Sequence, residues 1–452
     1  MENLDGTILA TAAPSIARSF DVPSASVGVA ITAYLLALAA FIPLSGWLTD
    51  RLGVRVVFIS AIAIFTVASL LCAFSTTLPE FTVLRVVQGI GGAMMVPVGR
   101  LAVLRETSKA DIIRAISWLT WPALFAPVAA PFLGGLITTY ATWPWIFLLN
   151  VPLGIIGVIA AIVLVPGGVR ARDRRLDWLG FSLVCLGLGL LTYAGSAFSE
   201  ASPPLIAGAV GLIAGLALTG LAALHLIRTA NPLFDLRVFR TETFRVTHAG
   251  GSIFRLTILA MPFMLALFFQ DALGWSPIEA GSVILVLFVG NLAAKLATTR
   301  LLVRFGFRRV LLASTVGAVV SMWLTALVDN ATPVLVVIAL LFFSGVTRSV
   351  GFTAYNTIAF ADIDDVQMTD VNTLASTVQQ AAAGFGVAIG AIALRAGQPL
   401  GQFVGASGVV GTFHVAFALV GILALVPLIE VISLSPRAGD NIRPARPVRS
   451  PG

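Results

Sequence analysis

Fourteen apolar stretches, nearly all twenty residues or longer, follow one another along this 452-residue chain with little between them. They lie near residues 4–18, 27–48, 54–75, 79–103, 113–139, 143–166, 177–198, 205–227, 246–270, 278–300, 308–328, 333–356, 371–395 and 409–432. About 20 apolar residues cross the hydrocarbon core of a bilayer as a helix, so the pattern predicts an all-α integral membrane protein with about fourteen spans. A water-soluble globule is excluded, because only 11% of residues are charged, against roughly 25% in an average soluble domain. The net charge of +7 does not point to nucleic acid. The basic residues fall in short loops between apolar runs, not on one face among polar or aromatic readers.

The longest polar breaks divide the chain. An Arg-rich segment, Gly167 to Arg175, follows the sixth stretch, and an amphipathic connector, Arg228 to Arg245, follows the eighth. The expected organisation is a six-helix bundle over 1–166, two linker helices with a cytoplasmic connector over 167–245, and a second six-helix bundle over 246–434. A tail over 435–452, rich in Pro and Arg, has too little apolar content to fold. Of the 28 Lys and Arg, Arg18 and Arg395 fall on one side and Arg85, Arg255, Lys295 and Arg348 at membrane depth, while the rest lie on the other side. By the positive-inside rule that side, with both termini, is cytoplasmic. Arg51, Gly53 and Arg55 after the second stretch match Arg304, Gly306 and Arg308 after the tenth. Parallel repeats of this kind relate the halves of rocker-type transporters, with substrate held between them.

The few polar residues inside the spans carry the chemistry. Asp5 reads as the only carboxylate deep in a span; Glu430 lies near the end of the last one. A lone carboxyl in an apolar wall favours its neutral form until a cation comes close, which suits loading and release of a proton. Arg85 and Gln88, three apart, share a helical face in the fourth span. A charge at that depth should face a partner or a water-filled cavity. Asp50 and the arginines of Gly46, Asp50, Arg51, Gly53 and Arg55 are placed to pair across helix ends as a gate. Lys295 and Arg348 read as near enough to the cytoplasmic side to snorkel. Gln88, Arg255, Asn372, Gln379 and Gln380 are candidate cavity residues, and the spacing of Pro127, Pro131, Gly134 and Gly135 predicts a closely packed, bendable fifth helix. Scarce buried charge weakly favours apolar or cationic substrates. Cys72 and Cys185 sit inside apolar runs, and His225, His248 and His414 are isolated, so neither a disulfide framework nor a metal site is expected. Gly89-Ile-Gly91-Gly92 lies within a span with no preceding strand, so nucleotide binding fails its context and energy should come from an ion gradient.

These residues resemble the fourteen-span drug:proton antiporters of the major facilitator superfamily over nearly the whole chain. Leu4-Asp5-Gly-Thr7-Ile8 to Ala13-Pro14 is similar to their first-helix motif, Gly46 to Arg55 to the loop motif, and Arg85 to Pro97 to the fourth-helix motif. Ala130-Pro131-Phe-Leu-Gly134-Gly135 resembles the antiporter motif with alanine for its leading glycine, and Trp143 to Gly154 resembles the signature of the fourteen-span group. The resemblance implies export of small amphipathic organic compounds in exchange for protons, with Asp5 the proton site, Arg85 its partner, Asp50 and Arg51 the gate, and no cofactor beyond the proton gradient. Partners are then the lipid bilayer, substrate and protons, with accessory efflux proteins and the oligomeric state left open. The family has a dozen or so apolar residues before this aspartate, whereas Met1 to Leu4 precede it here. The expectation is a truncated first helix, Asp5 near the cytoplasmic surface, and an upstream extension of about 15 apolar residues to complete ~20.

Two alternatives remain. One is a proton-coupled transporter of a single metabolite; the other is a membrane enzyme acting on lipid-linked substrates. The second would need convergent His, Asp or Glu near an interface, which the isolated histidines do not offer, so no enzymatic activity is expected.

Overall fold

The computed structural model describes residues 1–106, 126, 128–165, 176–199, 205–229, 232–359, 361–362, 368–403, 405–406, 408–435 and 438–439. Among these, fourteen helices follow in order: α1 Glu2–Phe20, α2 Gly28–Leu52, α3 Val54–Ala73, α4 Leu78–Glu106, α5 Val128–Tyr140, α6 Pro144–Leu164 and α7 Trp178–Ser199. Then come α8 Leu205–Arg228, α9 Glu242–Ala272, α10 Pro277–Phe305, α11 Phe307–Thr325, α12 Val334–Ile358, α13 Met368–Phe403 and α14 Gly408–Ser433. Twelve of them are long and apolar enough to cross a membrane; α1, with Glu2, Asp5 and Arg18, and the shorter α5 are the other two. In lipid each backbone N–H and C=O needs an internal partner, and the helix supplies it within one segment. Large aliphatic side chains such as Ile155, Ile156 and Val163 on α6 and Ile206, Val210 and Ile213 on α8 therefore point outward, where acyl chains replace water.

The first-half helices α2, α3 and α4 pack together with α6 against α3, and in the second half α10, α11 and α12 repeat this grouping with α14 against α11. The halves meet where α2 crosses α13 and α1 lies on α9. Helix α7 leans on both α2 and α13, and α8 packs on α7.

The internal echo is structural. Gly53 (φ 88°, ψ 150°) and Gly306 (φ 80°, ψ 161°) close α2 and α10 in the same left-handed turn, a region open to glycine at little cost. In both turns the glycine N–H reaches back 3.0 Å to the carbonyl four residues earlier, on Thr49 or Leu302. Two residues on, Arg55 Nη2 donates to the Ile162 carbonyl near the end of α6, and Arg308 Nη2 to the Ile432 carbonyl near the end of α14, each at 2.6 Å.

Although only four residues precede it, Asp5 is 2% exposed, enclosed by α4 and α6. Helix α1 has 19 residues, about 28 Å at 1.5 Å per residue, and the groups described next take up the carboxylate.

Candidate functional site

Asp5 lies at the centre of a polar cluster built from four helices. Arg85 Nη1 on α4 donates to Asp5 Oδ2. Asp5 Oδ1 accepts from Asn150 Nδ2 on α6 at 3.0 Å and from Gln88 Nε2 at 3.3 Å. The same Arg85 nitrogen reaches Gln88 Oε1 at 2.5 Å, and Asn150 Nδ2 lies 3.1 Å from Ser69 Oγ on α3. Beneath Arg85, 4.0 Å from its guanidinium carbon, lies the Tyr34 ring of α2, a favourable placement for a desolvated cation. Arg85 and Gln88 are wholly buried. Close approach of α4 makes this possible: a side chain at Gly89 would strike the Tyr34 carbonyl of α2, and one at Gly91 the backbone of α3 at Phe65. A buried charge survives only when paired and hydrogen-bonded. Here one carboxylate and one guanidinium neutralise each other through Arg85 Nη1, while Arg85 Nε and Nη2 are buried without a hydrogen-bond partner.

Four rings pack together beside this cluster, with Phe147 5.8 Å from the Arg85 guanidinium carbon. Phe20 lies 5.5 Å from Trp143 and 5.8 Å from Phe81, and Phe147 lies 5.4 Å from Phe81, mostly edge to face. Trp143 Nε1 donates to Ser19 Oγ at 2.9 Å. The halves also meet on this side, where Gln270 Nε2 donates to the Thr11 carbonyl at 2.9 Å and Gly28 packs against Phe263. A side chain at Gly135 would enter the Pro277 backbone of α10, and one at Gly281 the Pro131 carbonyl of α5. Between the halves lies a cavity of about 430 Å³. Its first-half wall includes Glu2, Gly6, Thr7 and Tyr34, and its second-half wall Phe288, Asn291, Arg348, Phe352, Gln379 and Gln380.

The family profile described as Major Facilitator Superfamily matches residues 1–173 and 248–451. The chain belongs to the Major Facilitator Superfamily. The match leaves out 174–247, which hold α7, α8 and the connector. Relatives of similar sequence include MdtD of Escherichia coli O9:H4 (strain HS), named for multidrug resistance, 39% identical over 400 residues covering 87% of this chain and 83% of that one. The MdtD of Escherichia fergusonii is likewise 39% identical, over 402 residues. Among solved structures the nucleoside transporter NupG has a similar fold, with TM-score 0.64, 13% identity and 96% of each chain covered. A D-xylose-proton symporter also does, at 0.63 and 12%, covering 94% of each.

Within the superfamily fold the residues singled out from sequence separate into three places. Asp5, Arg85 and Gln88 come together in the buried cluster, so Gln88 lies apart from the cavity wall. Gln379 and Gln380 line the cavity. Arg255 stands behind that wall, donating to the Thr247 carbonyl at 3.1 Å and to Asn356 Oδ1 at 2.6 Å, while Gln379 Nε2 reaches the same Asn356 oxygen at 3.2 Å. The Asn372 side chain and Pro127 lie outside the described residues. Pro131, Gly134 and Gly135 lie between the halves, Gly134 against Ile8 of α1.

In the Gly46–Arg55 loop Asp50 pairs with neither Arg51 nor Arg55: Arg51 lies 5.3 Å over the Trp47 ring, and Arg55 is engaged by Ile162. One expectation is corrected. Arg348 does not snorkel; it is 5% exposed and donates through Nη2 to the Ile258 carbonyl of α9. Pro262, four residues after Ile258, has no N–H, so that carbonyl lacks its helical donor and the guanidinium supplies one. Sequence reasoning also missed Asn150, Ser69, Tyr34 and Glu2. Asn150 was within reach, as the polar residue in the otherwise apolar Trp143 to Gly154 signature.

Proposed function

We infer that the chain is a secondary active transporter of a bacterial inner membrane, exporting small amphipathic organic compounds, drugs and toxic compounds among them, in exchange for protons. The observation that carries this is the position of Asp5. It is ion-paired with Arg85 on one face of α1, and the next two residues, Gly6 and Thr7, line the cavity between the halves. A proton on Asp5 removes the charge that holds Arg85 and loosens α1 from α4 and α6. Substrate in the cavity and the ion pair then compete for one helix, which couples the two.

The two bundles, 1–166 and 246–434, rock about their contact, carrying 167–245 as linker helices and connector and 435–452 as a cytoplasmic tail. The end of the bundle with Arg51, Arg55, Arg304 and Arg308 faces the cytoplasm, a reading supported by the crowding of Lys and Arg there. Gly46, Asp50, Arg51, Gly53 and Arg55 form the gating loop. Antiport is further supported by close contact at Gly134 and Gly135, where α5 touches both halves. The name of MdtD supports drugs as cargo, and that of the D-xylose-proton symporter shows a neighbour of this fold named for proton coupling.

The test is reconstitution in vesicles with an imposed pH gradient and a trapped pH dye, screening organic cations, anions and neutral drugs for substrate-driven proton release. Asp5→Asn should abolish that release with expression retained. Release that persists in Asp5→Asn refutes the coupling role.

A further inference from the structure

We propose that Arg348 is an anion-recognition residue of the central cavity, so that the preferred cargo is an amphipathic organic anion, an aromatic or alicyclic carboxylate or its equivalent. The proposal rests on the transport reading above and names its substrate class. Arg348 lies mid-span on α12 and lines the cavity. Of its three guanidinium nitrogens only Nη2 is engaged, by Ile258; Nε and Nη1 are buried without a partner. No carboxylate stands within ion-pair distance: among the described residues the ion pairs are Arg85 with Asp5 and His225 with Asp177. The one carboxylate in the cavity wall, Glu2, is on the opposite half, and its Oε2 is likewise buried without a hydrogen-bond partner, so the two charges face the cavity unpaired from opposite walls.

A desolvated guanidinium without a counter-charge is costly at membrane depth, and an arriving carboxylate offsets that cost through a charge-assisted hydrogen bond. Arg255 adds a second positive charge behind Phe352, 5.6 Å from that ring, and is held by neutral oxygens. The surroundings supply the rest of the ligand's chemistry. Phe263, Phe288 and Phe352 offer apolar walls, and Asn291 and Gln379 offer amides. A volume of about 430 Å³ with this lining can hold a ring system carrying one acidic group. This assignment departs from the apolar or cationic cargo that scarce buried charge weakly favoured.

Arg348 also has a plainly structural duty toward the Ile258 carbonyl, and the experiment separates the two. Binding of 1-naphthoate, neutral 1-naphthamide and cationic 1-naphthylmethylammonium to the purified full-length chain is measured by equilibrium dialysis. Wild type should bind naphthoate at least tenfold more tightly than the amide. Arg348→Gln should erase that difference, and Arg348→Lys should retain part of it. Pro262→Ala restores an N–H to Ile258, so the Pro262→Ala/Arg348→Gln double variant keeps the fold without the guanidinium, and it too should bind naphthoate and naphthamide alike. Equal affinities in wild type, preference for the cation, or naphthoate selectivity surviving in the double variant overturns the proposal. Asp5→Asn distinguishes the two readings. Lost proton release with intact naphthoate selectivity supports both, whereas naphthoate selectivity with proton release unaffected by Asp5→Asn removes the coupling role alone.

Discussion

The two halves share their scaffold and differ in their buried charge. At Gly53 and Gly306 the backbone makes the same turn, and Arg55 and Arg308 tie the following helix to the last helix of their half by the same 2.6 Å contact. Inside, the first half neutralises Arg85 with Asp5, while the second half holds Arg255 and Arg348 on carbonyl and amide oxygens. Repetition preserved what shapes a bundle and let the buried ions diverge. On the proposed function the paired half would carry the proton, and the half without an ion pair would meet a charge that arrives with the cargo.

The largest expected effect comes from breaking the pair. Arg85→Ala leaves Asp5 buried without a counter-charge and should cost about 3–5 kcal/mol, read as a large fall in thermal midpoint in detergent, with transport lost. The Asp5→Asn/Arg85→Gln double variant should regain most of that stability and none of the proton coupling. In the second half Arg348→Gln should cost less, about 1–3 kcal/mol, because the Ile258 carbonyl loses its donor but no ion pair is broken. Equal costs at Arg85 and Arg348 would dissolve the contrast between the halves.

Next in size is the seam between them. Gly135→Leu or Gly281→Leu puts a side chain into the backbone of the other half and should cost about 1–3 kcal/mol by overpacking, with transport abolished. Wild-type transport rates in either variant would mean that this contact opens freely. Smaller still, Arg55→Ala and Arg308→Ala should each lower stability by about 1 kcal/mol, and by the same amount. A twofold disparity between their shifts in thermal midpoint would show that the repeat is geometric only.

The smallest effect is at the linker. Asp177 accepts from Gly180 N–H at 2.9 Å, His225 Nε2 at 2.8 Å and Leu233 N–H at 3.3 Å, tying α7, α8 and the connector together. Burial pushes its carboxyl up, but the hydrogen bonds from Gly180, His225 and Leu233 outweigh that and hold it below the usual carboxylate range. A depressed folded value means that the contact stabilises above pH 3.8, the ordinary value, and fades as pH falls through the lower folded one. Protease nicking of the connector should therefore stay slow down to about pH 4 in wild type and be faster already at neutral pH in Asp177→Asn. Equal nicking rates would assign the latch no role.

The spans were legible because a bilayer imposes one length and one polarity on every segment that crosses it. Arg85 and Gln88 were legible as a pair because helical spacing puts them on one face. What could not be read was which distant helix answers each polar group. Asn150 and Ser69 reach Asp5 only through the packing of α3 and α6. Arg348, judged by its depth along one helix, looked free to snorkel, yet a proline on another helix had left a carbonyl for it to serve. The loop of Asp50 and Arg51 misled for the opposite reason. Opposite charges close in sequence read as a bridge, but the turn at Gly53 aims Arg55 at α6 and Arg51 lies over the neighbouring Trp47 ring.

The rings of Phe20, Phe81, Trp143 and Phe147 bear on something broader than packing. A carboxylate reached by water from both faces of a membrane at once would be a wire, and the cell would spend its proton-motive force heating itself. If Asp5 carries the proton as proposed, four aromatic side chains packed edge to face beside its Arg85 partner would act as the insulation that keeps this exchange from becoming a short circuit.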